Sequence, residues 1–149
     1  MDIKKLRPDP KGRYSQGYIN PASLRKLFPQ LRGKPVIYRS SYEKRFMQWL
    51  ESSDKVVGWG SECMRIPYVG SDGKEHSYFP DYLVQLRNGK MMVVEIKPLS
   101  QSRRPVNESS WAYKEWSKNM HKWVRAREWC QARGMEFVVL TENTLDRLS

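Results

Sequence analysis

Cysteine is scarce: Cys63 and Cys130 are the only two in 149 residues. No C-x-x-C pair exists, so neither a disulfide framework nor a thiolate metal site is written into the chain. The two read as reduced thiols of a cytosolic setting. Histidine is equally sparse, and His76 and His121 stand isolated, with no partner that suggests a zinc site. No apolar run approaches the length of a membrane span. The stretch MDIKKLRPDPKGRYSQGY is charged and has no apolar centre, so no signal peptide is expected there. Internal repeats and low-complexity tracts are also lacking.

Acidic residues are outnumbered, 16 against 27 Lys and Arg, for a net charge of +11. The imbalance is uneven. Residues 1–45 hold 12 basic residues against Asp2, Asp9 and Glu43, while the remainder holds 15 against 13. Such an excess points to a polyanionic partner, with nucleic acid first. Solubility alone needs far less. Pro8, Pro10, Pro21, Pro29 and Pro35, with Gly12, Gly17 and Gly33, forbid long elements in the same region. We therefore expect a basic N-terminal arm, residues 1–40, ahead of one folded domain, residues 41–149. Within the arm, Asn20-Pro21 opens a short helix through Phe28.

Periodicity organises the rest. Ser41 to Ser52 reads as an amphipathic helix with Ser41 as cap and Phe46, Trp49 and Leu50 as its apolar stripe. Short strands follow over Lys55 to Trp59 and Glu62 to Val69, the second weakened by Pro67. Gly70 to Gly73 is a turn. Asn107 to Arg133 is a long helix, with Trp116, Met120, Trp123, Val124 and Cys130 on its core arc and Lys114, Lys118, Lys122 and Arg125 on the far side. Gly134 closes it, and Glu136 to Leu140 is a final strand. The fold class is α/β: a mixed central sheet flanked by helices.

The chemistry lies between the turn and the long helix, in SYFPDYLVQLRNGKMMVVEIKPLSQ, residues 77–101. Asp81, Glu95 and Lys97 interrupt two otherwise apolar runs around Arg87-Asn88-Gly89. A two-residue loop would oppose Asp81 to Ile96. A three-residue loop with Gly89 left-handed opposes Asp81 to Glu95, and puts Lys97 on the same face. We expect the three-residue loop. Two opposed carboxylates repel, and a half-buried sheet tolerates them with a cation between. Oxygen ligands suit Mg²⁺, with Mn²⁺ able to substitute. Lys97 then orients or deprotonates an attacking water, or steadies the charge of a five-coordinate phosphate. An exposed ion pair on a sheet edge is the competing reading. Against it, Met91 to Val94 and Ile96 make the second run apolar on both faces, as in a central strand.

Pro80-Asp81 followed by Glu95-Ile96-Lys97 resembles the PD-(D/E)XK signature of restriction-endonuclease-like nucleases. The helix, meander, helix, strand order is similar as well. In that family an acid on the first core helix often helps bind metal, and Glu43 is at the matching place. The resemblance implies catalytic roles for Asp81, Glu95, Lys97 and Glu43, with the three acids as metal ligands. Arg39-Ser40-Ser41-Tyr42-Glu43, Trp59-Gly60-Ser61-Glu62 and Pro80-Asp81-Tyr82 further resemble the head-completion nucleases of contractile-tailed phages, over nearly the whole chain. That implies endo- and exonuclease action on DNA at the filled head before the tail joins. It also implies portal or neck proteins as partners, and a place in the host cytoplasm during assembly and then in the virion. A non-catalytic DNA-binding or head-tail joining protein with a vestigial site is the alternative. It fits poorly, because both acids and the lysine are present.

Secondary candidates follow. Glu62 is a second possible accessory acid. Arg103 and Arg104 follow the active strand within reach of a phosphate. Lys114, Lys118 and Lys122 form a basic track for a phosphate backbone, near Trp111 and Trp129, which stack on bases or pack on the arm.

Overall fold

The computed structural model of the chain describes residues 17–147, so the first part of the expected arm lies outside the described residues. A short hairpin opens the structure: β1 (Gly17–Ile19) pairs antiparallel with β2 (Val36–Tyr38). Between them lie two 3₁₀ turns, Pro21–Ser23 and Pro29–Leu31, in place of the helix expected through Phe28. Asn20 caps the first, its side chain accepting from Ala22 N at 3.0 Å. Each turn begins at a proline, whose fixed φ starts a helical turn that the sequence does not sustain.

Helix α1 (Ser41–Ser52) starts one residue later than its cap, which is Ser40 rather than Ser41. Strands β3 (Val56–Ser61), β4 (Ile66–Val69), β5 (Glu75–Tyr78), β6 (Tyr82–Leu86) and β7 (Met91–Ile96) follow, then the single turn α2 (Leu99–Ser102). Helix α3 (Trp111–Gln131), strand β8 (Glu136–Leu140) and helix α4 (Glu142–Arg147) complete the order. The expected strand over residues 62–69 is thus shorter, and it leaves the main sheet. Its β4 part pairs with β5 as a separate ribbon. Pro80 is the cause: without an N–H it cannot continue one ladder, so residues 75–86 divide into β5 and β6. The long helix also starts later, at Trp111. Asn107 folds into a side-chain turn, and Ser110 caps, accepting from Tyr113 N at 3.1 Å.

The central sheet has the order β3-β6-β7-β8. The first three strands are antiparallel, and β8 runs parallel to β7, with Glu95 opposite Val139. One face packs under α1 and α4, where Phe46, Met47 and Leu50 meet Tyr82, Val84, Val94 and Leu145. The other carries α3 and the ribbon, where Trp123, Ala126 and Cys130 meet Val93, Phe137 and Ile66. The fully buried arc of α3 is rotated toward Ala126, a residue whose small side chain adds little to an apolar stripe. Val124 is left 49% exposed as a result.

Residues 17–40 are not an appendage. Leu24, Leu27 and Val36 belong to the first core cluster. Phe28 N donates to Trp59 O at 2.9 Å. The Glu51 carboxylate accepts from Arg25 N, Lys26 N and Trp59 Nε1 at 2.6, 3.0 and 2.9 Å. The boundary expected at residue 40 therefore has no counterpart in the packing.

The β6–β7 hairpin has the expected register. Tyr82 opposes Val94, and Leu86 N donates to Lys90 O at 2.9 Å, which leaves a loop of three residues, Arg87 to Gly89. Gly89 has φ of 89° and nothing within 4 Å of an added Cβ. Gly89→Ala should therefore act through backbone strain alone and lower the unfolding free energy by about 1–2 kcal/mol in urea titration. No loss would mean that the loop relaxes into another turn.

Candidate active site

Continuing the register one step past Tyr82 and Val94 sets Asp81 opposite Glu95. By alternation both share a face with Leu83 and Val93, and Lys97 follows on that face. This is the face α3 covers. Glu43 comes from the first turn of α1, on the opposite face, and its charge is felt by Asp81 rather than Glu95.

Each acid is held. Asp81 Oδ2 accepts from Ile96 N at 2.8 Å. Glu95 Oε2 accepts from the Tyr78 hydroxyl. Glu43 Oε2 accepts from Arg39 N at 2.9 Å and from Ser40 Oγ at 3.3 Å, while Ser40 caps Glu43 N in return. That reciprocal pair is a capping box shifted by one residue. The remaining oxygens, Asp81 Oδ1 and Glu95 Oε1, accept no hydrogen bond among the described residues.

Burial, then repulsion from Asp81, pushes Glu43 up to about 7, against the pull of Arg39 N. Burial and Asp81 likewise hold Glu95 well above the usual carboxylate range, countered by Tyr78, Lys122 and Lys97. Asp81 is raised mainly by burial, with the Ile96 N–H working the other way. Burial with the Glu95 charge raises Tyr78 far above an ordinary phenol, so it is a fixed donor.

Do these residues fit a divalent ion? Among the described residues, no three His, Cys, Asp or Glu side chains form a ready-made cage. Asp81, Glu95 and Glu43 thus do not close into a three-carboxylate cluster. Two facing carboxylates, each with an unengaged oxygen, match Mg²⁺, which takes one or two carboxylates and keeps several waters. They match zinc less well, since it usually takes three or four protein ligands with His or Cys among them.

Lys97 lines a recess beside the acids, and its N–H donates to Leu140 O at 2.9 Å, extending the β7–β8 ladder. Lys122 is where the sequence reading differs most. It lies not on the far side of α3 but toward the sheet, with Nζ 4.7 Å from the Tyr78 ring. Burial lowers its pKa, and Glu95 opposes that. Standing four residues before Ala126, it shares the edge of the rotated buried arc. With Lys118 it lines a second recess of about 320 Å³ between the ribbon and α3. Lys114 is exposed. Arg125 pairs with Glu128 at 3.0 Å.

Arg104 is occupied: it bonds Glu108 at 2.6 Å and lies over Tyr113 and Trp116. Arg103 makes no hydrogen bond or ion pair among the described residues and borders the Lys97 recess. Trp129 packs against the second core cluster under Arg133, 3.8 Å away, rather than on the arm. His76 binds Asp72 at 2.9 Å and His121 meets Val69 O at 3.0 Å.

Glu62 adopts a left-handed φ of 48°, which a non-glycine residue holds only under constraint. Its N–H donates to Asp81 O at 2.9 Å, and its carboxylate pairs with Arg39. Arg39 and Tyr78 are the residues sequence reasoning missed. Arg39 was visible as the residue before the cap. Tyr78 had only its place three residues before Asp81 to mark it.

Residues 53–142 match the family described as TnsA-like endonuclease N terminal. The match contains Asp81, Glu95, Lys97 and Lys122, and excludes Glu43 and Arg39. The chain is also 35% identical over 136 residues to the head completion nuclease of Enterobacteria phage T4, covering 83% of this chain and 91% of that protein. Among the described residues no helix is long and apolar enough to cross a membrane.

Proposed function

We infer the function from membership: the chain belongs to the head completion nuclease family and carries the TnsA-like, restriction-endonuclease-like fold. It is a nuclease of phage head completion. The finer reading is a Mg²⁺-dependent deoxyribonuclease, Mn²⁺ able to stand in, that hydrolyses phosphodiester bonds internally and from ends before the tail is joined. Asp81 facing Glu95, with Lys97 on the same face, is the observation that carries it.

Asp81 and Glu95 would hold the ion, with Glu43 beside Asp81 adding negative field. When bound, such an ion polarises the scissile phosphate and lowers the pKa of water. Tyr78 and the Ile96 N–H aim the two carboxylates by occupying one oxygen of each. Lys97 brings a positive charge to the attacked phosphate and orients the water that displaces the leaving oxygen. Lys122 offsets Glu95 from the helix side. Arg103, Lys118 and Lys114 lie outward of this centre, where flanking phosphates would pass. Arg104 braces the loop instead. Portal or neck proteins are the expected protein partners, in the host cytoplasm during assembly and then in the virion.

The test is incubation of the full chain with supercoiled and linear DNA in Mg²⁺ and in EDTA. Nicking in Mg²⁺ alone supports the reading, and equal activity in EDTA would sink it. Heads made without the protein should fail to accept tails.

A further inference from the structure

We propose that the recess beside Lys97 is a nucleobase pocket that takes one unpaired base of the strand being cut, with Trp111 as its stacking platform. The proposal rests on the nuclease reading of the neighbouring acids.

The recess holds about 330 Å³ between Lys97, α2, the following loop and the first turns of α3. That is the small end of the range for ligand pockets, about 300–1,000 Å³, and suits a single flat ring system. Trp111 is the first residue of α3, fixed by the Ser110 cap, yet 76% exposed. Trp116 forms another wall. Its Nε1 donates to Ser102 O at 3.2 Å and Arg104 lies over its ring, so its plane is fixed before any ligand arrives.

The polar groups suit a base edge. The Gln101 and Asn119 side chains line the recess and make no hydrogen bond among the described residues. Each amide offers a donor and an acceptor, as a base edge requires. Arg103 borders them without an ion pair among the described residues, as a phosphate partner, while Glu115 on the same wall pairs with Lys118 at 3.5 Å. Because Lys97 itself lines the recess, a strand whose phosphate is held at Lys97 has a neighbouring nucleotide within reach of it. A stacked, paired base cannot turn in, whereas an unpaired one can at little cost. The pocket therefore selects ends, gaps or flaps over continuous duplex.

Binding is measured by fluorescence anisotropy in EDTA, where cleavage does not compete. Two labelled duplexes carry one unpaired nucleotide at an end, in one of them abasic. The wild-type chain should bind the unpaired base about tenfold more tightly than the abasic site. Trp111→Ala should bind both alike, and Trp111→Phe should restore most of the gap. Wild-type indifference to the base, or a full gap in Trp111→Ala, would overturn the pocket. Asp81→Ala separates the two readings: it should keep the tenfold gap while losing cleavage. If it keeps the gap and still cleaves, the placing of the ion site at Asp81 fails and the base pocket stands. If the wild type cleaves without any gap, the pocket fails alone.

Discussion

Lys97→Ala should lower DNA cleavage by about a hundred- to a thousandfold at saturating Mg²⁺, with little change in DNA binding. That is the magnitude lost when one preorganised charge aimed at a transition state is removed. Lys97 cannot drift, because its backbone is a rung of the β7–β8 ladder through Leu140. A longer side chain is no substitute. Lys97→Arg should remain at least about tenfold impaired, since a guanidinium is broader and never gives up its proton. Asp81→Ala should fall as far or further, because it removes an ion ligand and frees the Ile96 N–H at once. Initial rates on supercoiled DNA measure all three. Cleavage within about threefold of wild type in Lys97→Ala would place the chemistry elsewhere.

The metal-free protein should lose stability as pH rises from 5 to 8, and Mg²⁺ should restore it only at the upper end. Glu43 has an ordinary value of 4.5 and a folded value of about 7. Between these the folded state binds more protons than the unfolded one, so unfolding free energy falls with pH across that window. Asp81 and Glu95 are raised in the same direction. The expected loss is a few kcal/mol, or roughly 5–10 °C in Tm. Below about pH 5 the acids are protonated and offer an ion little, so Mg²⁺ should leave Tm unchanged there. Glu95→Gln gives the sharper readout: it should raise Tm at pH 8 without metal and lose the Mg²⁺ response. A flat or rising Tm in the metal-free protein would show that the acids are not in conflict.

Much of the site was legible because its core is local. Asp81, Glu95 and Lys97 fall within one hairpin, and a loop of three residues settles which side chains oppose. The unread parts depend on distant packing. Lys122 was misplaced because the face of a helix is judged by its bulky residues, and Ala126 is small. The β4–β5 ribbon was missed because Pro80 interrupts a run that otherwise reads as one strand. Residues 17–40 lacked any period, yet Leu24, Leu27 and Val36 enter the core one at a time between prolines. Tyr78 and the Arg39 guanidinium act on acids 17 and 23 residues away, for which spacing carries no signal.

Several cations of that N-terminal segment, and Arg45 in α1, bear on how a polyanion is met. Lys26 Nζ donates to Ser53 O at 2.6 Å, and Arg32 to Pro21 O and Arg25 O at 3.1 and 3.0 Å. Arg39 pairs with Glu62, and Arg45 with Asp146. These contacts fold the chain, and the donors they use cannot also hold phosphates. Lys26 and Arg32, bonded to neutral carbonyls, keep their full long-range field. Under the proposed function, Lys26 and Arg32 draw DNA toward the protein without gripping it, and the grip at the cut phosphate belongs to the α3 side. Salt would then slow the encounter more than it loosens the complex.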